Sequence, residues 1–211
     1  ALMDDRAAAR KAATAAEKMA GSLADPVLKI EVLAGIGGLF GDKQDGIGDP
    51  KKAQELLAAA EELAGGDAVT DRFRAQALAA VAMGYANADL ADRAEAVVGR
   101  LEGLIETLDQ RPKVEALAAA ANVRAKRGEG EKSAALLESA ATTARAIEGS
   151  ANRAYALLAV GNAMKSAGDK EAAAAIAAEA EQAATKIGDP EQQKDAIQQA
   201  RTLQTTLKTM P

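Results

Sequence analysis

Apolar residues recur along this chain three and four positions apart, and nowhere do they alternate with polar ones as a half-buried strand requires. Over residues 70–88, Phe73, Ala77, Leu78, Val81 and Tyr85 share one helical face; over 150–167, Leu157, Val160 and Met164 do the same. Between such stretches stand Asp25-Pro26, Asp49-Pro50, Gly65-Gly66-Asp67, Arg111-Pro112 and Gly168-Asp169. Asp caps a helix start, Pro is tolerated at the first helical position, and Gly ends the preceding helix. The pattern predicts an all-α fold of about ten helices with short connections. They pair as five antiparallel hairpins over 4–41, 50–88, 89–127, 129–167 and 169–208, in one domain spanning 1–211.

One helix strains this pattern. Residues 32–41 carry Gly35, Gly37, Gly38 and Gly41 among Ile36, Leu39 and Phe40, and each interior Gly costs roughly 1 kcal/mol relative to Ala. Such a helix either packs unusually close to a neighbour or is the least stable of the array, opening before the hairpin at 150–187.

A basic residue stands three or four places before each apolar block: Lys29, Arg74, Lys113, Arg153 and Lys194, with separations of 45, 39, 40 and 41. The excess in the first separation matches a polar Gly/Asp loop at 41–49. A period of this size signals a solenoid of helix pairs, because one pair cannot bury its apolar face alone. Within the unit stand Leu157-x₂-Val160-Gly161-x₂-Met164 followed by Ala173-x₃-Ala177, and Leu78-x₂-Val81-Ala82-x₂-Tyr85 followed by Ala94-x₃-Val98. Weaker copies are Leu117-x₂-Ala120-Ala121-x₂-Arg124 with Ser133-x₃-Leu137, and Leu33-x₂-Ile36-Gly37-x₂-Phe40. Ile197-x₂-Ala200-Arg201-x₂-Gln204 reads as a polar closing helix.

This spacing resembles the tetratricopeptide (TPR) family over nearly the whole chain, in a degenerate form. The period is about five residues longer than the family's usual ~34, and Leu or Ile stands at the Trp position. The resemblance implies a right-handed superhelix whose concave face, lined by the first helix of each pair, binds a peptide. It further implies that Asn122 and Asn162, each five residues after the anchoring Leu and 40 apart, hydrogen-bond the backbone of that peptide. Lys126 and Lys165, about one turn further along, would meet a carboxylate. The plainer reading is that these are polar residues facing solvent on an Ala-rich helix.

Composition narrows the chemistry. There is no His and no Cys, and no acidic pair recurs on a shared face, so nucleophile–base catalysis is not expected and the chain reads as a non-enzyme without a cofactor. The acidic residues lie mostly at helix starts, where the helix dipole accounts for them. The Gly-rich run at 35–43 fails the phosphate-loop templates, since Phe40 replaces the third Gly and no Ser or Thr follows Lys43. Asp42, Asp45 and Asp49 match a calcium loop in composition and not in spacing. Arg124, Lys126 and Arg127 form the densest basic cluster, at a helix C-terminus where the dipole favours it.

A net charge of −5, from 26 basic and 31 acidic residues, does not favour nucleic acid. The longest apolar window, 32–40, is too short to cross a bilayer. With no Cys, no visible signal peptide and Ala1 in place of an initiator Met, the expectation is a soluble protein of the cytoplasm or of an exported, periplasmic compartment. The sequence therefore points to a protein-interaction scaffold that binds a peptide or protein segment. A structural subunit or assembly factor, using convex or end surfaces, is the alternative. A small-molecule or lipid-binding cup needs a large apolar cavity, which so Ala-rich a sequence hardly suggests.

Overall fold

The computed structural model describes residues 2–43 and 46–210. Within them the chain is all-α, with ten helices and no strand: α1 (Leu2–Gly21), α2 (Pro26–Gly41), α3 (Pro50–Gly65), α4 (Asp71–Asn87), α5 (Ala91–Ile105), α6 (Gln110–Lys126), α7 (Gly130–Ala146), α8 (Ser150–Ser166), α9 (Lys170–Ala184) and α10 (Pro190–Thr209). The punctuation acts as its chemistry requires. Asp25, Asp49, Asp169 and Asp189 accept from the backbone N–H of Val27, Lys52, Ala172 and Gln192 at 2.8, 3.1, 3.0 and 2.8 Å. Gly128 and Gly168 close the turns after α6 and α8 with φ of 76° and 87°, a region that costs a side-chain-bearing residue and not Gly.

The chain divides into two compact units, Ala1–Leu104 and Ile105–Pro211, and within each unit helices pack on their neighbours as helical repeats do. The closest pairing follows the phase of the sequence motif: α2 with α3, α6 with α7, and α8 with α9. The hairpin bounds 4–41, 129–167 and 169–208 pair helices that also touch, α1 with α2, α7 with α8 and α9 with α10, but these pack less closely. Gly161 on α8 lies against both neighbours: a Cβ there would stand 2.9 Å from Leu203 Cδ2 of α10 and 3.5 Å from Ile176 Cγ2 of α9.

In the first unit α2 lies against both α3 and α4. Its glycines make that possible. A Cβ on Gly37 would stand 2.7 Å from Leu57 Cγ of α3, one on Gly38 would stand 3.0 Å from Asn87 Cβ of α4, and one on Gly41 would collide with Ala88. Close approach therefore compensates the glycines that strained the sequence pattern. Gly35, with open space around it, is the exception. The loop after α2 folds back on that helix through Ile47 N–H to Leu39 O at 2.9 Å, and Ile47 is buried.

The core is mostly Ala, with Tyr85 and Phe40 as its largest fully buried side chains. Two of the repeated basic residues, Arg74 and Arg153, share a task. Arg74 donates to Val69 O at 2.8 Å and Arg153 to Ile147 O at 2.9 Å, tying the incoming loop to its helix. In α10 the residue that does this is Gln193, which donates to Ile187 O at 3.2 Å and Thr185 O at 2.9 Å, while Lys194 is exposed. The step from Arg153 is thus 40 and not 41, because a loop carbonyl needs a donor and not a charge.

Candidate functional site

The helices that carry Asn122 and Asn162, α6 and α8, pack side by side in the second unit. On each, one stripe stays exposed or half-buried while the residues beside it are core. On α6 it is Arg111, Glu115, Ala119, Asn122 and Lys126; on α8 it is Ala151, Tyr155, Ala159, Asn162 and Ser166. The two stripes are offset by 40 residues throughout, so the two amides occupy the same place on neighbouring helices.

Their environments differ. Asn162 is exposed and donates from Nδ2 to Leu158 O of its own helix at 3.0 Å, which leaves its carbonyl turned to solvent-side partners. Asn122 is half-buried, and its Oδ1 is shut off from water without a hydrogen-bond partner. A buried acceptor in that condition costs about 1–3 kcal/mol. The lysines are not equivalent either. Lys126 lies on the stripe four residues after Asn122 and is exposed, and its counterpart on α8 is Ser166. Lys165 follows Asn162 by three residues, sits to the other side of the stripe, and is half-buried.

A second feature of this face escaped the motif. Glu115, Tyr155 and Asp195 stand 40 residues apart on α6, α8 and α10. The Tyr155 hydroxyl donates to Asp195 Oδ2 at 2.8 Å, and Gln199 Nε2 donates to the same carboxylate at 2.8 Å. The Arg111 guanidinium lies 5.9 Å from the centre of the Tyr155 ring and pairs with Glu115 at 3.1 Å. The hydrogen bond to Asp195 holds the Tyr155 hydroxyl above the usual phenol range. In the first unit the corresponding residues are Glu31 and Gln76, joined at 2.6 Å. A polar residue at one fixed place therefore ties α2 to α4 in the first unit and α8 to α10 in the second. Spacings of 45, 39, 40 and 40 from Glu31 to Asp195 match the first three of the basic residues and differ by one at the last, and that regularity was the available signal.

The basic cluster at the end of α6 is built around one carboxylate. Arg124, buried, Arg127 and Lys132 reach Glu129 at 3.1, 3.1 and 3.0 Å. Hydrogen bonding from Lys132, with the charges of Arg127 and Arg124, holds Glu129 below its ordinary value of 4.5. A carboxyl lowered on folding stabilises fully above that ordinary value, and its contribution disappears as pH falls through the lower folded value. Glu129→Gln is therefore expected to lower the thermal midpoint at pH 7, by a difference that shrinks progressively as pH falls below 4.5. A midpoint at pH 7 equal to that of the parent protein would show that the three cations need no common anion.

Among the described residues no group of three or more acidic side chains is placed to hold a metal ion. Asp49 is engaged as the cap of α3 and pairs with Arg10 at 3.0 Å; Asp45 lies outside the described residues. The Gly-rich run at 35–41 is the body of α2 rather than a loop. Of the described helices, none is long and apolar enough to cross a membrane.

This architecture is that of a helical-repeat protein. No family model and no curated protein matches the chain. Among solved structures it is similar to Ton1535 from Thermococcus onnurineus NA1, with a TM-score of 0.60 and 18% identity, over 95% of this chain and 56% of that one. The likeness is one of fold, and this chain spans little more than half the length of Ton1535.

Proposed function

We propose that this protein is a non-catalytic interaction scaffold that binds an extended peptide or protein segment across the first helices of its second unit. The observation that carries the reading is the pair Asn122 and Asn162, at one register on adjacent helices. An amide both donates and accepts, as a peptide backbone does. The Oδ1 of Asn122, closed off and unpartnered, gains an acceptor's missing bond if the amide turns out to an incoming N–H. Lys126 would meet an acidic group of the ligand, with Lys165 a weaker contributor because of its position. Partners captured from an extract of the native host, reduced to the shortest retained segment, supply the ligand. The scaffold reading is abandoned if that segment binds unchanged after the two amides are removed.

The alternative, a subunit or assembly factor docked through other surfaces, is favoured by one feature of the first unit. Met19, Leu28, Leu39 and Phe73 expose 70%, 44%, 39% and 44% of their surface. Leu28→Glu with Phe73→Glu separates the two readings, since it would release a docked complex and leave binding at Asn122 and Asn162 intact.

A further inference from the structure

The second helices of the second unit, α7 and α9, leave between them a cleft of about 520 Å³. Its walls are Ala134, Leu137 and Ala141 on α7 and Ala172, Ala175 and Ile176 on α9. Met164 of α8 closes the floor. At one end Arg145 of α7 reaches across to Glu179 of α9 through two hydrogen bonds of 2.8 Å. Much of the wall is Ala, whose methyl group projects too little to fill the space between α7 and α9, so a composition that hardly suggested a cavity accompanies one.

A row of small residues is not in itself a site. The second observation is Ser133, which lines the cleft near the start of α7. It is 2% exposed, and its Oγ has no hydrogen-bond partner. The same place in the other repeats is held by Ala53, Ala94 and Ala173, all fully buried. A hydroxyl has replaced a methyl at the one repeat that borders this cleft on α7, at the cost of an unsatisfied polar group.

We infer that the α7–α9 cleft binds a small neutral molecule with an aliphatic body and a single hydrogen-bonding head, such as a ketone or an alcohol. The volume lies in the range of ligand sites, as does the balance of apolar wall to few polar groups. Charge excludes an anionic head. Arg145, the cation lining the cleft, is held by Glu179, while Glu138 and Asp169 add acidity to the rim. The head therefore meets Ser133 Oγ and the chain lies along the Ala walls. The cleft shares no residue with the stripes that carry Asn122 and Asn162, and the proposal stands independently of the peptide reading.

The test is titration of the full chain, ¹³C-labelled at its Ala methyls, with 2-octanone, heptane and octanoate. Shifts should concentrate at Ala134, Ala172 and Ala175, with 2-octanone binding more tightly than heptane or octanoate. Ser133→Ala installs the residue the other repeats use, so it should fold. It should weaken 2-octanone roughly three- to tenfold, the worth of one hydrogen bond, and leave heptane unchanged. Ala134→Trp, at an exposed position on the wall, should abolish binding without lowering the unfolding midpoint. The inference is overturned if no probe shifts these methyls, if octanoate binds best, or if Ser133→Ala binds 2-octanone as the parent does. It is equally overturned if Ala134→Trp still binds.

Discussion

Replacing Gly84 with Ala is expected to destabilise the first unit by about 1–3 kcal/mol, the cost of forcing an extra methyl group into a packed interface. A Cβ at Gly84 of α4 would stand 2.7 Å from Ala34 O of α2 and 2.5 Å from Leu57 Cδ2 of α3. Leu57 can rotate, but a backbone carbonyl inside a helix cannot. Relief requires α2 and α4 to separate, and with them the contacts of Gly38 against Asn87. Gly99→Ala on α5 is the matched control. That glycine is exposed in a helix interior with nothing near its missing Cβ, so Ala there should raise stability by up to about 1 kcal/mol. Urea unfolding followed by helical circular dichroism reads both. If Gly84→Ala unfolds at the parent's urea concentration, then α2 and α4 are not in the close contact described.

The double substitution Asn122→Ala with Asn162→Ala should weaken binding of the captured segment at least tenfold. Losing one hydrogen bond typically costs about 1 kcal/mol, and more where a charged partner is stranded. Neighbouring first helices lie on the order of 10 Å apart and an extended peptide advances about 3.3 Å per residue. The amides thus meet peptide groups about three residues apart, and their losses add. Helical content should stay the same, and the unfolding midpoint should stay or rise slightly, because Ala favours the helix and the buried acceptor of Asn122 disappears. Lys126→Ala should act further on an acidic segment only. Isothermal titration with the segment and with its alanine-scanned versions distinguishes the three effects.

The fold was legible because its signals are local. Asp before Pro, Gly at the turns and apolar residues at helical spacing each fix one boundary, and a 40-residue step repeats them. What remained hidden depends on pairs of helices. Nothing local distinguishes Gly37, which must meet Leu57, from Gly35, which meets nothing. The lateral tie from Tyr155 to Asp195 appears only when residues one repeat apart are placed side by side. Lys194 marks the repeat in the sequence because charge is conspicuous there, whereas the loop carbonyls that Gln193 holds are not. For the candidate face, the two asparagines stand out in the sequence by their spacing and by the family resemblance. Their unequal burial, and the one-residue mismatch of Lys165 against Lys126, needed the packed helices to be seen.

The equivalence of Arg153 and Gln193, each holding the carbonyl of the isoleucine before its helix, makes 148–187 an interchangeable cassette. A duplicate of those forty residues inserted after Ile187 meets the same anchor at both junctions, with Ile at its end and Glu148-Gly149 ahead of the next helix. Length in such a chain is therefore a quantity that changes in whole steps of one helix pair, provided the copied α8 can take the place of α10 against α8 and α9, where Tyr155 would meet a second Tyr155 in place of Asp195.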